Sequence, residues 1–295
     1  MSTGLTKHYR IVDVFTDTQF EGNPLAVFPD ASGMDTNTMQ KIAKELNLSE
    51  TTFVFPSTRP DCAAYVRIFT PGQEMEFAGH PTIGTSYVLM DEGTVSGDTE
   101  DFILEERVGP VPIHVDKGSN PLIWLRTPPI SLGKVFDRFI CARAVGLYTE
   151  DLLEISPQAV SAGNSTIFIP LKNKETVDKA WYNFQDVSVL KKQYPDKVSF
   201  FIFTPTSEGA YSRMFAPEYG VMEDPATGSA TGPLAFYMMQ HGLVSSASGT
   251  RFISEQGTKI GRRSILHVHI KGEMGKNGIF VGGRVTPVSE CVMKI

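Results

Sequence analysis

Residues 223–232 read EDPATGSATG. Two carboxylates stand directly ahead of a proline, two glycines and three hydroxyl-bearing side chains. Such a run suits a phosphate cradle, a flexible linker or the floor of another kind of active site. A Walker loop needs G-x-x-x-x-G-K-[ST], and no lysine follows Gly232. A dinucleotide fingerprint needs G-x-G-x-x-G between a strand and a helix, which GSATG does not supply. A linker would not lead straight into PLAFYMM, the body of a helix. Small residues also let a central helix pack closely on a sheet, which accounts for Ala226, Ala230 and Gly232 whatever the function. That packing role does not account for Asp224.

Outward from this run, the second half repeats the order of the first. DVSVLKKQY (186–194) reads as a short helix, and VSFFIF (198–203) and AYSRMF (210–215) as strands. In the first half, RIVDVF and LAVF are strands around the turn EGNP. Asp35 or Thr36 caps a helix through about Asn47, with Met39, Ile42, Ala43 and Leu46 in one apolar stripe. Strands follow at 51–55 and 62–69, then a turn, TPGQ, and a helix with Pro81 in its first turn. Thr51 and Val198 stand 147 positions apart, Phe69 and Phe215 146, and both Pro81 with Pro225 and Gly84 with Gly228 144. One order at nearly one spacing predicts duplicated halves. The period is far beyond that of solenoid repeats, so it predicts two pseudo-equivalent domains. The boundary falls in the proline-rich RTPPISLG (126–133). It gives an N-terminal domain of residues 1–127 plus about 279–295 and a C-terminal domain of 128–278.

Composition bounds the function. The chain has 295 residues, 41% hydrophobic and 20% charged, enough for a sizeable core. A net charge of -6 argues against a broad nucleic-acid-binding face. No apolar run is long enough to span a membrane, and MSTGLTKHYR has no apolar segment of a signal peptide. Three scattered cysteines suggest neither a zinc site nor a disulfide framework, so a cytoplasmic setting is expected.

Both repeat helices begin among small residues, one at Gly79-His80-Pro81-Thr82 and the other at Asp224 to Ser229. A helix N-terminus offers unpaired N–H groups and the positive end of a dipole, and it welcomes a carboxylate. His80 alone reads as a structural histidine, and Asp224 alone as a helix cap. Together, at matching ends of two repeats, they point to a site. Glu50, in NLSETTFVF, is the third candidate: a carboxyl at the edge of an apolar strand is suited to moving a proton. Its alternative is an ordinary loop glutamate. Its counterpart in the second half falls near Lys197, so the duplicated frame carries one such carboxyl.

EGNPLAVF, NLSETTFV, FTPGQEMEFAGHPTIGT, SRMFAPEYGVMEDPATGSATGPLA and GTKIGR, spread over residues 9 to 284, resemble the PhzF-like proteins of phenazine biosynthesis, in the diaminopimelate-epimerase fold group. The resemblance implies an α/β fold of two similar domains, each a curled, mostly antiparallel sheet around a central helix, with the site between them and a homodimer as the usual form. It implies that Glu50 is the acid/base. It also implies that His80, Asp224 and Ser229 hold or polarise the substrate, and that Gly79 and Gly228 belong to the helix starts that bind its carboxylate. The implied activity is a cofactor-independent, metal-free isomerisation of a small carboxylated substrate, cyclic in the case of trans-2,3-dihydro-3-hydroxyanthranilate. Another proton transfer on the same frame, such as epimerisation, and a non-catalytic ligand- or protein-binding role are the alternatives. The related cofactor-free epimerases use a cysteine at each helix start. Cys62, read as lying in a strand, Cys141 in a helix and Cys291 near the terminus do not fit that role.

Overall fold

The computed structural model describes residues 5–272 and 278–295. The start of the N-terminal stretch inspected for a leader (residues 1–4), and residues 273–277 of the expected second domain, lie outside the described residues. Contacts divide the chain into two compact units: one runs to Arg126 and resumes at Gly282, and the other is Thr127–Val281.

The first unit contains β1 (Thr6–Val14), β2 (Asn23–Phe28), α1 (Thr36–Leu46), β3 (Glu50–Phe55), β4 (Ala64–Phe69), β5 (Glu74–Met75), α2 (Gly79–Asp91), β6 (Asp101–Glu106), β7 (Gly109–Asp116) and β8 (Leu122–Arg126). Pairing is antiparallel throughout except β2 with β3 and β4 with β6. The sheet curls around α2, which packs on β1, β2, β3 and β8. That helix is buried on nearly every side from Gly79 to Leu89 because it has no polar face to offer solvent. α1 lies on the other side of the sheet. Its stripe of Met39, Ile42 and Ala43 is buried beside a stack of Tyr9, Phe28 and Phe53 with centroids 4.8 and 4.9 Å apart. Asp35 caps α1, accepting from the Thr38 N–H.

The second unit contains β9 (Ser131–Val135), α3 (Arg138–Ala144), β10 (Gln158–Ser161), β11 (Ser165–Pro170), α4 (Lys174–Lys179), α5 (Phe184–Gln193), β12 (Phe200–Thr206), β13 (Gly209–Ala216), β14 (Val221–Asp224), α6 (Gly228–Gln240), β15 (Arg251–Gln256) and β16 (Ser264–Ile270). β17 (Ile279–Gly283) follows, and β18 (Val285–Lys294) returns to the first unit, antiparallel to β1. Here β11 with β12 and β13 with β15 are parallel. β12 is buried on both faces. Phe200 and Ile202 join the cluster under α3 and α5, while Phe201 and Phe203 join the one around α6. The molecule is therefore mixed α/β, with mostly antiparallel curled sheet around central helices, as the family resemblance implied.

The duplication is visible in detail, with a corrected register. Arg67 of β4 grips Glu74 of β5 through two hydrogen bonds of 2.7 and 2.8 Å and lies over the Phe69 ring. Arg213 of β13 grips Glu223 of β14 at 2.9 and 2.8 Å and lies over the Phe215 ring. The arginines are 146 positions apart (67 to 213), but the glutamates and the helix starts Gly79 and Gly228 are 149 apart. The intervening turn is three residues longer in the second unit, where it forms a helical turn at Pro217–Tyr219. Pro81 and Pro225 are therefore not counterparts, nor are His80 and Asp224. His80 corresponds to Ser229, and Asp224 to Met75. The strand registers Thr51↔Phe69 and Phe200↔Phe215 place Ser199, not Lys197, opposite Glu50 in the repeat. Glu50 itself is the first residue of β3 rather than part of a loop, and Cys62 precedes β4 rather than lying in it.

Candidate functional site

The first unit brings Glu50, Gly79 and His80 together. Glu50 opens β3, and His80 is the second residue of α2. Thr52, on the same face of β3 as Glu50, meets Thr85 of α2 through a 2.8 Å hydroxyl contact and helps to fix strand against helix. His80 Nε2 lies 3.3 Å from Glu50 Oε2. Burial lowers the His80 pKa to about 3, so the ring is neutral at physiological pH and the contact is not an ion pair. On its other side, Nδ1 lies 3.3 Å from the side-chain amide nitrogen of Asn23. With that amide assigned as the donor, Nδ1 accepts and the ring proton sits on Nε2, facing the carboxylate. The distance is long for a charge-assisted hydrogen bond, so the pair has room to tighten as charge moves. Glu50 remains 17% exposed while His80 is sealed, which leaves the carboxylate as the member that a substrate can reach.

The second unit separates the two adjacent carboxylates of EDPATGSATG. Glu223 is held by buried Arg213 and is structural. Asp224, next along β14, accepts from the Thr227 hydroxyl at 2.6 Å. It is not the cap of α6, since Thr227 occupies that position. Fully buried Gln256 braces the turn. Its amide donates to the Asp224 carbonyl at 2.7 Å, and its oxygen accepts from the Thr227 N–H at 3.1 Å. Gly228 and Ser229 open the helix immediately beyond.

The two central helices share one further property. The remaining helices α1, α3, α4 and α5 are capped at their N-termini by the side chains of Asp35, Asp137, Asn173 and Asn183. α2 and α6 have no side-chain cap hydrogen bond. Their first-turn N–H groups are the kind that a carboxylate can satisfy. The equivalent positions Gly79-His80 and Gly228-Ser229 hold no thiol. Cys141 is buried in α3 and its pKa is raised by burial, so it is inert as a nucleophile. Among the described residues no cluster of acidic, histidine and cysteine side chains could hold a metal ion, and no helix is long and apolar enough to cross a membrane.

Sequence reasoning assigned no role to Asn23 or Gln256. Asn23 lies in the quoted EGNP turn, where its side chain looked like turn chemistry. Gln256 ends an ordinary strand and carries no signal until the fold sets it beneath α6.

The family described as phenazine biosynthesis-like protein, PhzC-PhzF, matches residues 12–291. An uncharacterized isomerase from Clostridium acetobutylicum is 36% identical over 270 residues, covering 88% of each chain. The trans-2,3-dihydro-3-hydroxyanthranilate isomerase of Pseudomonas chlororaphis is 32% identical over 290 residues, covering 93% of this chain and 97% of that one. The crystal structure of a PhzF-family protein from Bacillus anthracis superposes with a TM-score of 0.87 at 28% identity, covering 99% of this chain and all of the other. A hydroxyproline epimerase from Agrobacterium vitis shares the fold at a TM-score of 0.67 and 12% identity, covering 98% of this chain and 93% of that one. A match along nearly the whole chain, with curated relatives named as isomerases, shows that the chain belongs to the phenazine biosynthesis-like PhzC-PhzF family.

Proposed function

We propose that this protein is a cofactor-independent isomerase that moves a proton between two carbons of a small carboxylated substrate, with Glu50 as the acid/base. The observation that carries the reading is the partly exposed Glu50 carboxylate 3.3 Å from a buried, neutral His80 at an uncapped helix start. The relatives named for trans-2,3-dihydro-3-hydroxyanthranilate isomerisation make that diene the best substrate candidate. In the step, Glu50 takes the proton from C3 as the diene electrons shift. The resulting carboxylic acid returns the proton at C1, and the carboxylate is restored. No redox partner is needed. The neutral His80 N–H stabilises the Glu50 carboxylate before and after transfer without competing for the proton. Asp224 and Ser229 are assigned to holding the substrate, and the N–H groups at the helix starts, Gly79 in one unit and Gly228 in the other, each suit a carboxylate.

The test is Glu50→Gln assayed on that diene. The amide keeps the shape and loses the proton capacity, so turnover falls by at least about a thousandfold while the fold is retained. Unchanged turnover removes Glu50 from the mechanism. We also propose a homodimer, which light scattering would register as twice the 32.4 kDa chain; a single-chain mass would refute it.

A further inference from the structure

The end of β6 holds a buried acid that the proposed chemistry does not use. Glu106 is 3% exposed. Its Oε1 lies 2.5 Å from Thr82 Oγ1, in the first turns of α2, and that hydroxyl also lies 2.7 Å from the Ala78 carbonyl oxygen. Glu106 Oε2 has no hydrogen-bond partner among the described residues. Thr82 has a single hydroxyl proton and cannot donate to both neighbours.

The repeat shows where that proton goes. Thr231 is the counterpart of Thr82, and Thr227 is that of Ala78. Thr231 donates its hydroxyl to the Thr227 carbonyl at 3.0 Å. If Thr82 donates in the same way, its oxygen accepts across the 2.5 Å contact and Glu106 must be the donor, which a carboxylate cannot be. The counterpart of Glu106 is Gln256. Both are the last residue of a strand with the same alternation of burial, β6 and β15. Gln256 carries N–H groups and donates into the corresponding turn, to the Thr227 hydroxyl at 3.0 Å and the Asp224 carbonyl at 2.7 Å. A neutral Glu106 reproduces that donor, and an ionised one does not.

Among the described residues no cation compensates an anion at Glu106. Arg67 and Arg107 hold Glu74, Arg107 also reaches Glu76, and Glu105 accepts from Ser57. His80, in the same turn of α2, is neutral. We propose that Glu106 is a positioning residue kept as a carboxylic acid, donating to Thr82 to fix the first turn of α2 and with it His80, and that its ionisation loosens that turn. The protonation state stands on the hydrogen-bond arrangement alone, and its catalytic consequence rests on the roles proposed for Glu50 and His80. Burial in an uncharged pocket agrees with it, pushing the carboxyl up to about 8.

The test is infrared spectroscopy of the full chain and of Glu106→Gln across the neutral and alkaline range, with turnover followed in parallel. The expected result is a protonated-carboxyl C=O band at neutral pH that fades as pH rises through about 8 and is missing from Glu106→Gln. Wild-type kcat falls over the same interval. Glu106→Gln supplies the neutral donor, stays within about threefold of wild type at neutral pH and loses that alkaline limb, whereas Glu106→Leu loses about tenfold in kcat with KM nearly unchanged. Absence of the band at neutral pH, or its persistence in Glu106→Gln, overturns the proposal. If Glu106→Gln fails to fold, fading of the wild-type band through about pH 8 supports the proposal and its absence overturns it. If the diene is not turned over, the band still decides the state of Glu106, so the two readings fail separately.

Discussion

Burial keeps His80 neutral beside the Glu50 carboxyl group, 3.3 Å away. Burial takes His80 out of the titrating range, with its pKa near 3 in the fold against 6.5 for the free side chain. A folded value below the unfolded one contributes stability that is present above pH 6.5 and is lost as pH falls toward 3. His80→Gln should therefore flatten the acid limb of the unfolding curve, whose slope from this group is on the order of 1 kcal/mol per pH unit. Denaturant titrations of both proteins at several pH values check this, and parallel acid limbs would show that His80 titrates normally. Asp224→Asn keeps the shape of the Thr227 contact but removes the charge. It should raise KM and lower kcat, together by roughly ten- to a hundredfold in kcat/KM, the range for a lost hydrogen bond to a charged group. A change in KM alone would restrict Asp224 to binding.

At the scale of elements, the ion pair between β13 and β14 and the close packing of α2 carry the strongest stability expectations. Glu223→Ala leaves the Arg213 guanidinium buried among backbone carbonyls without its carboxylate, and should cost about 3–5 kcal/mol. Gly84→Ala would set a Cβ 2.6 Å from the Leu25 side chain and 2.8 Å from that of Val14, and should cost about 1–3 kcal/mol by overpacking. Chemical denaturation measures both, and wild-type stability in either would contradict the packing described. These elements also show what the sequence could reveal. The α1 stripe was legible because one side-chain period repeats over the whole helix, and the strands around Phe53 and Phe201 because each is a short run of β-prone apolar residues. The helix register was not, because a three-residue longer turn at Pro217–Tyr219 moved the offset while two prolines matched by coincidence. The paired arginine–glutamate grips would have given the true register, but nothing local marks Glu74 and Glu223 as partners of arginines seven and ten positions earlier.

For the whole molecule, the duplication explains both what is shared and what is not. Each half supplies a buried central helix with an uncapped start, yet the proposed site residues differ: Glu50 and His80 in one half, Ser199 and Ser229 at the corresponding places in the other. If Glu50 is the acid/base as proposed, a two-fold repeat with one such carboxyl suits a reaction in which a single group removes and returns the proton. The candidate residues were legible as motif positions, whereas the neutral state of His80 and the braces Asn23 and Gln256 needed the fold. Chelator treatment should leave turnover unchanged, and strong inhibition would reveal a metal requirement. The most direct measurement incubates wild type and Glu50→Gln with trans-2,3-dihydro-3-hydroxyanthranilate in deuterated water and follows C3 and C1 by NMR. Wild type should remove the C3 hydrogen and form a new C1 bond to hydrogen or deuterium, and Glu50→Gln should leave the diene unchanged. A diene untouched by wild type, or equal rates from both proteins, would contradict the proposed function.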